Sequence, residues 1–165
     1  MMTSRDNNTE QLIRLVEREA GLYEDLLRLT LKQREALVEN VESAIAQTTA
    51  EQDRLLRQIS ATERSSQAFA ARLTQTPDPS LADIAADVGE PYSGRLLDAA
   101  RRLLETGTRV RGENMINRHL INNMLELTDF CLRTLAGDAA CSPYRVDGKT
   151  GVGPAAALGL LDSRA

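Results

Sequence analysis

Few residues in this chain are able to do chemistry, and none stands in a catalytic pattern. The single histidine, His119, lies beside Arg118, and no cysteine or carboxylate cluster follows at metal-ligand spacing. We interpret it as a solvent-facing helix residue. Gly148-Lys149-Thr150 resembles the end of a phosphate-binding loop, but Pro143 occupies the place of the first glycine and no strand precedes it. We therefore predict no enzyme activity, no cofactor and no metal site.

Composition restricts the partners that the surface can attract. The chain has 165 residues and a net charge of −4, with acidic and basic residues mixed along its length, so we expect no nucleic-acid binding. Aromatic residues make up only 3%, which favours thin helix-on-helix packing over a thick core. Cys131 and Cys141 have no metal-ligand spacing and fit reduced thiols, with Cys131 packed and Cys141 exposed. The absence of a signal sequence and of long apolar runs predicts a cytoplasmic protein without membrane insertion.

The first half of the chain has the pattern of one long helix. It contains no proline from Thr9 to Thr74, and its apolar residues recur at multiples of about 3.5 positions. Asn7 followed by Glu10 has the spacing of an N-cap pair. The pattern predicts a helix over about 9–75, roughly 100 Å long at 1.5 Å per residue.

Prolines then predict a corner over about 76–92. Pro77 and Pro79 remove backbone donors and end the first helix. Ser80 and Asp83 form a capping pair for a short helix, Leu81 to Val88, which ends at Gly89.

A second long helix is predicted over about 93–136. Its seam alternates by four and three residues, which is typical of a coiled coil: Leu96, Ala100, Leu103, Gly107, Val110, Asn114, Asn117, Ile121, Met124, Thr128, Cys131 and Leu135. Joining the two seams through the corner predicts an all-α fold, an elongated antiparallel helical hairpin or coiled coil with a short corner helix. Residues 1–137 then form one helical domain, and 138–165 a flexible C-terminal tail rich in glycine and alanine.

Two features of this hairpin are left with open alternatives. Asn114 and Asn117 would face the polar residues from Gln47 to Gln52 and set the register through a buried polar layer; alternatively they point to solvent. The second helix is also too short to cover the start of the first, so the apolar stripe from Leu12 to Leu27 is expected to be uncovered. Such a stripe typically marks a partner site, which includes a second copy of the chain.

Several motifs resemble those of the FlgN-type flagellar export chaperones. They are the apolar pairs of the first helix, the sequence Asn114-x-x-Asn117-x-x-Leu120-Ile121, the leucines after it, and Tyr144 with Gly148 in the tail. The resemblance implies a cytosolic, all-helical, non-enzymatic chaperone of a flagellar type III export system. Its partners would be the hook–filament junction proteins, as clients, and the cytoplasmic part of the export gate.

The resemblance also suggests roles for individual residues. We expect client binding at apolar positions of the second helix and tail: Ile121, Met124, Leu125, Leu132, Leu135, Leu160 and Leu161. The alternative for the first five is that they form the core of the hairpin. Tyr144 is the candidate for docking to the export gate, with a tyrosine of no specific role as the alternative.

Two other classes of protein compete with an export chaperone. A structural coiled-coil or tether protein would form a stable homodimer through Leu12 to Leu27. A helix-turn-helix regulator would use the segment from Leu81 to Gly89, but its recognition helix carries Asp98 and Glu105 against its arginines and lacks the basic surplus that DNA requires.

Overall fold

Helices account for nearly all of the chain that can be described. The computed structural model describes residues 4–74 and 79–136. In these residues it has four α-helices and no strand: α1 (Ser4–Glu39), α2 (Glu42–Thr74), α3 (Leu81–Val88) and α4 (Tyr92–Leu135). The predicted all-α fold is confirmed. Asn7 is not an N-cap, because α1 begins at Ser4.

The single helix predicted over 9–75 is two helices, which corrects the sequence reading. The chain turns at Asn40, whose φ of 54° is left-handed. The Asn40 amide donates to the Leu37 carbonyl at 3.2 Å, and the Val41 amide donates to the Ala36 carbonyl at 3.0 Å. These two bonds form a Schellman motif with Asn40 at C′. The turn needs neither glycine nor proline, because asparagine is among the few other residues that adopt this conformation readily.

α2 therefore runs back along α1. Glu19, Tyr23 and Gln33 of α1 meet Ser66, Glu63 and Thr49 of α2, in reverse order along the chain. α4 lies along α1 in the same direction, as four ion pairs show: Arg95 with Glu10 and Glu17, Arg102 with Glu24, and Arg34 with Glu113. The antiparallel hairpin is thus formed by α1 and α2, and α4 packs along its side.

One hydrophobic core closes the end of this arrangement near the start of α1. Leu12, Ile13 and Val16 pack with Ile84 of α3 and Leu96 of α4, and the first two are fully buried. α3 reaches this core because Ser80 caps it as predicted, accepting a bond from the Asp83 amide at 3.1 Å.

The expectation of an uncovered stripe from Leu12 to Leu27 is wrong. The apolar side chains at 12, 13, 16, 20, 26 and 27 are all buried. A second core joins Leu26 and Leu27 to Leu55 and Ile59 of α2 and Val110 of α4. The early turn brings α2 against a stripe that a continuous helix would have left bare. The stripe is therefore not accessible for the homodimer that was predicted to form through it.

The chain divides into two units, Met1–Leu125 and Glu126–Ala165. All four helices contribute to the first. Of the second, the structure describes only 126–136, which is the end of α4 and Ala136. The predicted tail over 138–165 lies outside the described residues. Within the described residues, no helix combines the length and apolar composition that a bilayer crossing needs.

Candidate partner-binding surface

One face of α4 is buried in its first part and bare further on. Val110, Asn117, Ile121 and Leu125 are spaced by seven, four and four residues, so they share this face. Their exposed fractions are 5%, 3%, 39% and 63%. The face that packs against the hairpin thus continues beyond its cover, and we call this face the α4 seam.

The cover ends because α1 ends. Asn117 lies beside Thr30 and Gln33 of α1, and α1 stops at Glu39, six residues after Gln33. At 1.5 Å per residue, α1 extends only about 9 Å past Asn117. From Ile121 to Ala136 every residue is exposed except Met124, which is half-buried.

A buried polar layer lies where the covered part of the α4 seam ends. The Asn117 side-chain amide donates to the Thr30 carbonyl at 3.0 Å and to Gln33 Oε1 at 3.2 Å. Gln33 in turn donates to Thr49 at 3.1 Å and accepts from Gln52 at 3.4 Å. The predicted layer therefore exists for Asn117, although Gln33 of α1 connects it to α2. Each bond fixes the relative register of the helices.

Asn114 does not belong to this layer, contrary to one alternative. Its side chain is exposed and lines a cavity of about 700 Å³ between α1 and α4. Of the other motif residues, Leu120 is half-buried and Ile121 is exposed.

The predicted client-binding residues of the first unit lie on or beside the bare part of the α4 seam. Ile121 and Leu125 are exposed, and Met124 is half-buried. Their assignment as hairpin core does not fit exposures of 39% for Ile121 and 63% for Leu125.

The described part of the second unit is one helical segment with every side chain exposed. The predicted residues Leu132 and Leu135 lie one helical turn apart on one face, and Leu135 is 84% exposed. Leu127 and Phe130 form a second apolar face, which the sequence reasoning missed. Cys131, predicted to be packed, is exposed.

Charged residues occupy what remains of this segment. Arg133 forms an ion pair of 2.6 Å with Asp129 one turn earlier. Glu126, also exposed, lies one turn before Phe130, so the second apolar face has a carboxylate beside it.

Three residues of the predicted sites lie outside the described residues: Leu160, Leu161 and Tyr144. Their roles stay predictions.

A separate polar cluster sits inside the hairpin, away from the bare part of the α4 seam. Glu19 is buried, and this burial, together with repulsion from Glu63, raises the pKa of its carboxyl group. The Ser66 hydroxyl donates to Glu19 at 3.4 Å and opposes this rise. The Tyr23 hydroxyl donates to Glu63 at 3.2 Å, and burial raises its pKa as well. In residues 4–74 and 79–136, no group of three or more metal-ligating side chains is present.

A comparison with protein families decides the identity of the chain. The family model described as FlgN protein matches residues 1–151. The chain belongs to the FlgN family. FlgN proteins are chaperones of flagellar type III export, and the family is not known for enzymatic activity. No curated protein and no solved structure matches the chain.

Proposed function

We propose that this FlgN-family chain binds hook–filament junction proteins through the bare part of α4 and delivers them to the export gate. The observation that carries the proposal is the α4 seam, which changes from buried to exposed between Asn117 and Leu125. A helix face built for helix packing but left without a partner helix is a binding site for an amphipathic helix of another protein.

We propose the junction proteins as clients because of the state that they are in before assembly. Their terminal helices are amphipathic and unpaired until they polymerise, so they tend to aggregate. Pairing such a helix with Ile121 and Leu125 continues the α1–α4 interface that already exists within the chain. The pairing buries apolar surface on both sides and requires no nucleotide.

Leu132 and Leu135 of the second unit would contribute in the same way. Both are exposed, and so are Leu127 and Phe130 on the neighbouring face. A helix with two apolar faces is stable in water only when something covers it, so we assign this segment to client binding too. Leu160 and Leu161 remain candidates for the same role.

Delivery requires a second contact, which we assign to Tyr144. Replacing Tyr144 by alanine should weaken binding to the cytoplasmic part of the export gate and leave client affinity unchanged, because the α4 seam is untouched. Equal loss of both affinities would contradict the assignment. We place the protein in the cytoplasm, where the gate and the unassembled clients meet.

One substitution tests the client-binding surface directly. Leu125→Asp puts a charge on the bare part of the α4 seam and should weaken binding to a purified junction protein at least about tenfold, because the charge loses its water in the interface. Isothermal titration calorimetry measures the affinity, and mass in solution gives the stoichiometry, which we expect to be one to one.

Leu104→Asp is the matched control. Leu104 lies on the same helix and is 67% exposed, close to the 63% of Leu125, but it lies off the α4 seam. The affinity of the Leu104→Asp variant for the junction protein should stay within about twofold of that of the unchanged chain. Equal effects of both variants, or a stable homodimer that binds no junction protein, would overturn the proposal.

A further inference from the structure

The cavity beside Asn117 has a chemical character of its own. It measures about 700 Å³ and lies where the bare part of the α4 seam begins. Gln33 of α1 lines one side, and Arg111, Met115, Asn117, Arg118 and Ile121 of α4 line the other. With Asn114 and Asn122 of α4, the lining comprises two guanidinium groups, four amides and two apolar side chains, and no carboxylate is among the lining residues.

Within the described residues, Arg118, like Arg109 and Arg111, lacks the ion pair that Arg95, Arg101, Arg102 and Arg133 of α4 make. Arg95 and Arg102 each bind glutamates of α1, at 2.9 Å to Glu10 and 2.6 Å to Glu24. Arg118 is exposed and has no hydrogen bond or salt bridge within residues 4–74 and 79–136. Its charge is available to an incoming carboxylate.

Asn117 adds an unsatisfied hydrogen-bond acceptor at the same place. Its Nδ2 makes both bonds to α1, while Oδ1 is buried and has no partner in the described chain. A buried acceptor without a donor costs about 1–3 kcal/mol, and native proteins usually satisfy such groups. The Asn117 side chain lines the cavity, but Oδ1 itself is buried, so a donor entering the cavity reaches it only if neighbouring side chains shift.

The geometry points to a partner helix that bears an acidic side chain beside its apolar stripe, and we propose that it seats in this cavity. This inference rests on the proposed function, because the helix belongs to the client. Its aspartate or glutamate pairs with Arg118, a hydroxyl or amide beside it donates to Asn117 Oδ1, and its apolar stripe covers Ile121. Such a pair would resemble the glutamate–arginine pairs that α1 makes with Arg95 and Arg102 of α4.

Charge reversal at Arg118 tests this chemistry. Arg118→Glu should weaken binding of a purified junction protein about threefold to tenfold in low salt, since attraction becomes repulsion. The difference should shrink in 0.5 M NaCl, where exposed charges are screened. Arg118→Lys keeps the charge and should retain most of the affinity.

Arg57→Glu is the matched control. Arg57 is an exposed arginine of α2 and does not line the cavity. Its reversal changes the net charge equally, so it separates a local ion pair from the overall charge of the chain. We expect affinity within about twofold of the unchanged protein, and circular dichroism checks that each variant keeps its helix content.

The outcomes separate this inference from the proposed function. If Leu125→Asp abolishes binding while Arg118→Glu behaves like Arg57→Glu, client binding stands and the acidic-helix inference is overturned. If Arg118→Glu weakens client binding, and replacing the client's glutamate by arginine restores the affinity, the inference is supported. Failure of the unchanged chain to bind any junction protein overturns both.

Discussion

Asn117 contributes to the packing of α4 on α1, and we propose that it also contributes to binding. It is 3% exposed, yet its two side-chain ends differ: the amide nitrogen binds α1 and the carbonyl oxygen has no partner. A leucine at this position would pack against α1, but it would not specify one register of α4 along α1. The amide fixes one register, at some cost in stability.

Replacing Asn117 by alanine should therefore lower the free energy of unfolding by about 1–2 kcal/mol, because two buried hydrogen bonds are lost. Urea denaturation followed by circular dichroism measures the change. Asn114→Ala is the control, since the exposed Asn114 should give a change within about 0.5 kcal/mol. An equal loss of stability from both substitutions would mean that the hydrogen bonds of the polar layer do not stabilise the fold.

Glu19 leads to a prediction about pH. Its pKa is raised from the ordinary value of 4.5, so its charged form disfavours the folded state, and this penalty is present at neutral pH. The penalty disappears as pH falls towards 4.5, because the folded state then takes up the proton. Glu19→Gln removes the charge and keeps an acceptor for Ser66.

The Glu19→Gln variant should melt at a higher temperature than the unchanged chain at pH 8, and the gap should narrow as the pH is lowered to 5. Thermal unfolding at a series of pH values measures it. Glu35→Gln, at an exposed position of α1, should show no such gap. A gap that widens towards low pH would contradict the reasoning.

At the level of elements, the turn at Asn40 determines which helices pair. The proline-rich corner and the helical segments were predictable, because prolines at 77 and 79 and the regular apolar spacing are strong local signals. The turn at Asn40 was not, because a single asparagine in a helical pattern is ordinary. Once the turn was missed, the cover of Leu12 to Leu27 was necessarily misassigned.

The candidate surface was predictable to a different extent. Ile121, Leu125, Leu132 and Leu135 follow from the seam together with the family resemblance. The exposure of these residues does not follow from the sequence, because it depends on where α1 ends, and the turn at Asn40 that ends it has no distinctive sequence signal. Phe130 was missed because helix periodicity marks only one stripe at a time.

The left-handed conformation of Asn40 gives a direct test of the turn. Asn40→Gly should keep or slightly raise stability, because glycine adopts a φ of 54° at no steric cost. Asn40→Val should lower it by about 1–2 kcal/mol, since a β-branched residue is strained there. Chemical denaturation of both variants provides the comparison. Similar stability of the two would mean that the turn adopts another conformation.

At the level of the whole molecule, the part of α4 that packs in the fold differs from the part that we propose binds the client. Residues up to Asn117 join the two cores, whereas nearly all those from 121 to 136 are exposed. Stability and client affinity should therefore respond to different substitutions.

Hydrogen exchange offers a test of this division. In the free chain, amides of 121–136 should exchange faster than those of 96–117, because few buried contacts hold that part of the helix. Adding a junction protein should slow exchange in 121–136 at least about tenfold and leave the hairpin of α1 and α2 nearly unchanged. Mass spectrometry after proteolysis locates the protection. New protection confined to α1 and α2 would place the client elsewhere.

The position of the Asn40 turn has one more consequence, for evolution of this chaperone. Since α1 stops at Glu39, the length of the hairpin sets how much of α4 stays uncovered and open to the proposed client. Seven residues added on each side of the turn would lengthen the hairpin by about 10 Å and sheathe Ile121 and Leu125 with the chain's own side chains. A shift in the position of the turn would then change the length of client helix that a family member accepts. The residues proposed to contact the client would not need to change.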